Sequence, residues 1–268
     1  MIKVVLKISL VVLLLSNFSV AKAQVSLKDI LGQLGRGRDT TKSTTAASSQ
    51  TNTNTPRSGT VTKAEANNAI KQALGNGLQA SINLLSARDG YLGDAAVKIL
   101  MPKEAQKVEQ TLRAVGMGAL CDKFIASMNR AAETAVSEAG TVFVNSLSKM
   151  TIQDAYTILL SGQKDAATSY FKTNTTTELT TRFSPIIESA MGKNNVSGYW
   201  TQLTTAYNQL PLSANKIETN LAAYVTQRAI DGLFIKVADQ ELKIRDNLGG
   251  SRTTDLLAKV FGWVDGQK

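Results

Sequence analysis

The stretch from Asn220 to Leu242, NLAAYVTQRAIDGLFIKVADQEL, decides the fold class. Its apolar residues Leu221, Tyr224, Val225, Ile230, Leu233, Phe234, Val237 and Leu242 recur every three or four positions, one broad face of a helix, where a strand would alternate. Asn220 stands where a side-chain oxygen can accept from the first free amides, so the pattern predicts the longest helix of the chain, capped at Asn220.

The same periodicity continues on both sides. Toward the C-terminus, Thr253 or Thr254 caps a last helix with Leu257, Val260 and Phe261 inward. Toward the N-terminus, Tyr199, Leu203, Tyr207 and Leu210 form a stripe stopped by Pro211, and Ser184-Pro185 reads as an N-cap followed by a first helical residue. A helix covers Asp165 to Arg182 despite the threonine run 173–177, and Thr151 with Asp154 caps a short one holding Ala155, Ile158 and Leu159. Val142, Phe143 and Leu147 mark another. Leu120, Phe124, Met128, Ala131 and Ala135 define a helix of small residues that partners can approach closely. Pro102 suits a first helical position ahead of Ala105, Val108, Leu112 and Val115, closed by Gly116 and Gly118. Asp89-Gly90-Tyr91-Leu92-Gly93 is a turn-rich loop. Thr62-Lys63-Ala64-Glu65 is a capping box opening a helix through Ala66, Ile70, Leu74, Leu78, Ile82 and Leu85, where Gly75 and Gly77 imply close packing against a neighbour. With strand-like alternation and fixed-period repeats both missing, the fold class is all-α: a single bundle-like domain, 61–268, of about eight to ten helices.

The first 60 residues have a different character. Lys3 and Lys7, the apolar run Ile8 to Leu15 and Ala21-Lys22-Ala23 compose a signal peptide over 1–23, cleaved near Ala23 to leave Gln24 first. No cysteine stands just after the apolar run, which removes a lipoprotein anchor, and no run approaches the 20 or so apolar residues of a membrane span. A soluble, periplasmic or secreted chain is therefore expected. Over 24–60, Leu27, Ile30, Leu31 and Leu34 recur at helical spacing before Gly35 and Gly37, and this short stretch either docks on the domain or frays. From Asp39 to Thr60 the chain is Thr, Ser, Asn and Gln with no aliphatic larger than Ala, a composition that reads as a disordered linker.

The net charge of +9 does not signal nucleic acid. Residues 1–60 hold 8 of the 30 basic and 2 of the 21 acidic side chains, leaving 22 and 19 for the helical part, which is close to balanced. Arg36, Arg38, Lys42 and Arg57 are too dispersed to form a patch.

Chemistry is bounded by what is missing. With no histidine, Ser-His-Asp and Cys-His catalysis and histidine-ligated metals are excluded. The lone Cys121 excludes thiolate metal sites and paired-cysteine redox chemistry, and is expected to be buried. Phosphate-binding glycine loops and calcium loops are absent, so no catalytic residue, metal or cofactor is assigned. Tyr170, Phe171, Tyr199, Trp200, Tyr207 and Tyr224 read as core, and Asp154, Asp231 and Asp255 as cap or surface carboxylates. Two polar clusters remain. Asn129, Arg130 and Glu133 lie within one turn of the Ala-rich helix, and Glu241 and Arg245 have the favourable i,i+4 orientation. Each reads either as a functional group or as a pair fixing helix register or a loop carbonyl.

Five runs carry a family resemblance: Met128-Asn129-Arg130-Ala131-Ala132-Glu133; Met150-Thr151-Ile152-Gln153-Asp154-Ala155; Ala166-Ala167-Thr168-Ser169-Tyr170-Phe171; Tyr224-Val225-Thr226 with Asp231-Gly232-Leu233-Phe234; and Thr253-Thr254-Asp255-Leu256-Leu257 with Val260-Phe261-Gly262. Together, over about residues 64–262, they resemble the domain of unknown function 4197 family of exported bacterial proteins. Asn220 stands where that family leads one to expect an acidic residue, and the threonine-rich tether is longer than usual for it. The resemblance implies an exported helical domain of a Gram-negative cell and carries over no catalytic residue. The expected function is a non-enzymatic binding or interaction module of the cell envelope, presenting a helical groove to a protein, a glycan or an apolar ligand. The alternative is a histidine-free carboxylate hydrolase or lyase acting on cell-wall glycan, with Glu133 as its acid.

Overall fold

The structure, a computed structural model, describes residues 60–209 and 220–267. The expected signal peptide, the amphipathic stretch at Leu27 to Leu34, nearly all of the linker, and Leu210 with Pro211 lie outside them. The described residues form nine α-helices and no strand, as the periodicity requires. They are α1 (Lys63–Ser86), α2 (Gln106–Ala114), α3 (Gly118–Val136), α4 (Ala139–Lys149), α5 (Ile152–Leu160), α6 (Ala166–Lys193), α7 (Val196–Asn208), α8 (Leu221–Arg245) and α9 (Asp255–Asp265).

Helix α8 is the hub: it packs against α6, α1 and α3, while α3 and α6 pack on each other. The centre is aromatic. Phe143 of α4 meets Phe171 of α6 edge-on at 5.8 Å and Phe234 of α8 at 6.2 Å, and Phe124 of α3 stacks on Trp200 of α7 at 5.3 Å. Ala131, Ala132 and Ala135 of α3 are fully buried, so the small-residue helix sits deep. At Gly77 a Cβ would lie 3.2 Å from the Gln240 Cβ, which accounts for the glycine by the close approach of α1 and α8. Among the described residues no helix is long and apolar enough to cross a membrane.

Local signals set the helix starts. Thr62 and Glu65 cap α1, and Thr151 and Asp154 cap α5, both as reciprocal capping boxes. Asn220 accepts from the Ala223 amide at 3.0 Å, and Thr254 rather than Thr253 caps α9.

Several details depart from the sequence reading. Helix α6 runs 28 residues, longer than the 25 of α8, and passes through Pro185 where a new helix was expected. An internal proline destabilises a helix by about 3 kcal/mol. Here Thr175, Leu179, Phe183 and Ile187 continue one buried stripe across it, and burying one large apolar side chain contributes roughly 1.5–3 kcal/mol. Nor does the threonine run break the helix: Thr173, Thr175, Thr180, Thr181 and Ser184 each donate a hydroxyl to the carbonyl four residues back. Pro102 precedes a 3-10 turn, Lys103–Ala105, instead of opening α2. Val115 is 55% exposed, outside the stripe of Ala105, Val108 and Leu112, and Gly118 opens α3 while Gly116, at φ +84°, ends the preceding turn.

Candidate functional site

The first polar cluster is a clamp on irregular backbone. Between α1 and α2 the chain from Ala87 to Pro102 carries Tyr91, Val97, Ile99 and Met101 into the core, so its peptide groups need partners there. Asn129, fully buried on α3, supplies them: Oδ1 accepts from the Ile99 amide at 2.9 Å, and Nδ2 donates to the carbonyls of Ile99 at 2.8 Å and Ile125 at 2.7 Å. One amide side chain thus imitates a strand neighbour for Ile99.

Glu133, one turn on and 6% exposed, accepts from the Tyr91 amide at 3.3 Å through one oxygen and from Arg130 at 2.6 Å through the other. Arg130 also donates to Asp89 at 2.6 Å, tying the start of the loop to α3. From the opposite side Lys236 of α8 pairs with Asp94 at 2.7 Å, which holds the Asp94 carboxyl below its ordinary range and raises the lysine. The Tyr91 hydroxyl donates to the Ala229 carbonyl at 2.7 Å, and its ring packs where a Cβ on Gly232 would come within 2.8 Å. Burial, and secondarily the Glu133 charge, push the Tyr91 phenol far above its usual range, so it stays a neutral donor. Gly90 leaves no alternative, since a Cβ there would lie 2.4 Å from the Leu84 carbonyl oxygen.

The second cluster joins helix ends. Glu241 of α8 accepts from the Ala167 amide at 3.0 Å, from the Thr168 amide and hydroxyl at 2.8 Å each, and from Arg245 at 2.8 Å. Asp165, at the N-cap of α6, makes no side-chain cap, and Glu241 takes over that role from 74 residues away. Arg245 donates its remaining reach to the Ile158 carbonyl, in the last turn of α5, at 2.9 Å. Arg252, which the sequence reading did not single out, donates to the Ile244 and Arg245 carbonyls at the end of α8, pairs with Asp265 at 2.7 Å and lies 5.4 Å over the Phe261 ring. An anion therefore meets the positive end of one helix, and cations meet the negative ends of two others.

The second cluster borders two adjoining pockets. Ile70, Ala73, Leu74, Leu78, Val237 and Phe261 wall a narrow apolar cleft with about 20 Å³ of enclosed space, with Glu241 and Arg245 at its edge. A pocket of mixed lining with about 70 Å³ of enclosed space adjoins it, edged by Ser161, Lys164, Asp246 and Asp265, and Arg245 and Phe261 line both. Neither is lined by Asn129, Arg130 or Glu133. Cys121 is buried, as its setting in the sequence implied, and burial raises its thiol pKa.

A profile of the family described as "Protein of unknown function (DUF4197)" matches residues 60–262, in agreement with the resemblance drawn from the motif runs. No curated protein and no solved structure matches the chain.

Proposed function

We propose that this chain, which belongs to the DUF4197 family, is an exported, non-enzymatic binding module of the cell envelope that receives a small amphiphile at the cleft between α1, α8 and α9. The observation that carries the reading is the meeting of an apolar cleft with a charged pocket at Arg245 and Phe261. An apolar cleft with charged groups at its rim suits an apolar group carrying a polar head, which on entry would widen an enclosed space of about 20 Å³. Here Lys164, Asp246 and Ser161 stand at that rim. The residues 1–23, with their signal-peptide pattern, support export.

Glycan cleavage by Glu133 lacks geometric support, because both carboxylate oxygens are engaged and the residue borders neither pocket. A general acid has to reach the proton acceptor of its substrate.

The test is titration with N-phenyl-1-naphthylamine, an uncharged apolar fluorophore. The proposal expects saturable binding to the folded protein that Ala73→Phe, which fills the cleft, abolishes at a temperature where circular dichroism at 222 nm shows the variant still folded. Binding that is absent, or indifferent to Ala73→Phe, would refute it.

A further inference from the structure

Three helices end on one pocket. The pocket edged by Ser161, Lys164, Asp246 and Asp265 is lined by the carboxyl ends of α5, which stops at Leu160 just before Ser161, of α8, which stops at Arg245, and of α9, which stops at Asp265. Each such end carries the equivalent of about half a negative charge and favours a cation beside it. The side chains do not offset this, because Lys164 and Arg245 only balance Asp246 and Asp265. Nor are the arginines turned toward an anion. Arg245 spends Nε on Glu241 and Nη2 on the Ile158 carbonyl, and Arg252 spends its donors on Asp265 and on the Ile244 and Arg245 carbonyls. Lys164 is held most loosely: its Nζ lies 3.4 Å from the Asp246 carboxylate, and its side chain is 72% exposed. An exposed pair of this kind contributes little, so another ammonium can take its place at little cost.

We infer that the ligand is cationic: an ammonium joined directly to an apolar chain, with the chain in the cleft and the ammonium on the Asp246 carboxylate in place of Lys164. This rests on the amphiphile binding proposed above and adds the sign of the head. The enclosed space of about 70 Å³ is several times what one water requires and admits an ammonium. A primary ammonium has three donors and needs acceptors around it, and the pocket edge supplies the carboxylates of Asp246 and Asp265 and the hydroxyl oxygen of Ser161. Phe261, which lines cleft and pocket alike, gives the chain a continuous apolar wall from one to the other.

The experiment is displacement of bound N-phenyl-1-naphthylamine at neutral pH by octylamine, 1-octanol and octanoate, three ligands with one chain length and heads of different charge, each below the concentration at which it aggregates. Octylamine should compete about tenfold more tightly than octanol, and octanoate more weakly than octanol. Asp246→Asn should remove the advantage of octylamine and leave octanol unchanged. Lys164→Ala, which clears the carboxylate of its present partner, should tighten octylamine about two- to threefold and weaken octanoate. Both substitutions lie at the surface, and circular dichroism at 222 nm checks that each variant is folded. Equal affinities for octylamine and octanol, a preference for octanoate, or a loss of octylamine affinity in Lys164→Ala overturns the inference and leaves the cleft standing, because octanol still competes. A probe that fails to bind, or that none of the three displaces, overturns the amphiphile site and the cationic head together.

Discussion

Replacing Glu241 with alanine is the sharpest perturbation of the interior. The carboxylate accepts four hydrogen bonds, from two α6 amides, the Thr168 hydroxyl and Arg245. Removal leaves two helix N-terminal amides unpaired, each costing about 1–3 kcal/mol, and strands the Arg245 guanidinium, whose side chain is 10% exposed. Breaking a buried pair from one side typically destabilises by about 3–5 kcal/mol, a large share of a total of about 5–15. For a chain of this size that corresponds to a Tm lowered by roughly 6–20 °C. Circular dichroism at 222 nm, by heat and by urea, reads the change. Glu241→Gln should fall between, since it keeps one acceptor but turns an NH2 group toward donors. A Glu241→Ala protein melting within about 2 °C of the parent would refute the idea that Glu241 caps α6 across the core.

Asn129→Asp places a carboxylate against the carbonyls of Ile99 and Ile125, and urea denaturation should show a loss of at least about 3 kcal/mol, more than Asn129→Ala. Gly232→Ala drives a Cβ into the Tyr91 ring and should destabilise by about 1–3 kcal/mol, partly recovered when Tyr91→Leu makes room, as a double-mutant cycle would reveal. Glu65, bonded by Lys259 and by the Thr62 amide and hydroxyl, has its pKa lowered to about 2 from 4.5. Because the folded value is the depressed one, its stabilisation is full above about pH 4.5 and fades as pH falls toward 2, so Glu65→Gln should flatten the stability profile over that window and leave the profile's shape at neutral pH unchanged.

Helix positions were legible because burial of one face repeats with the helical period, and the caps were legible because a capping box is local: Thr62 with Glu65 and Thr151 with Asp154 lie three residues apart. Pro185 misled for the same reason, since its local preference to begin a helix was outweighed by a stripe, Leu179, Phe183 and Ile187, buried by other helices. The polar clusters could be located but not interpreted. Asn129, Arg130 and Glu133 stood out against an Ala-rich helix, yet Ile99, Asp89 and Tyr91 lie 30, 41 and 42 residues away, and nothing in the spacing joins them. Glu241 looked like an ordinary i,i+4 partner of Arg245 because its other partners sit on another helix. Arg252 and the cleft beside Phe261 gave no sequence signal, since a cleft is formed by residues that meet only after α1, α8 and α9 pack.

The account turns on interior polar side chains acting as braces that lock the 87–102 segment between α3 and α8. Native-state hydrogen exchange at the Ile99 amide, which Asn129 holds at 2.9 Å, addresses this directly. The amide should exchange as slowly as those in the middle of α3, and Asn129→Ala should release it to fast, local exchange. Exchange at the rate of a surface loop in the unaltered protein would contradict the account.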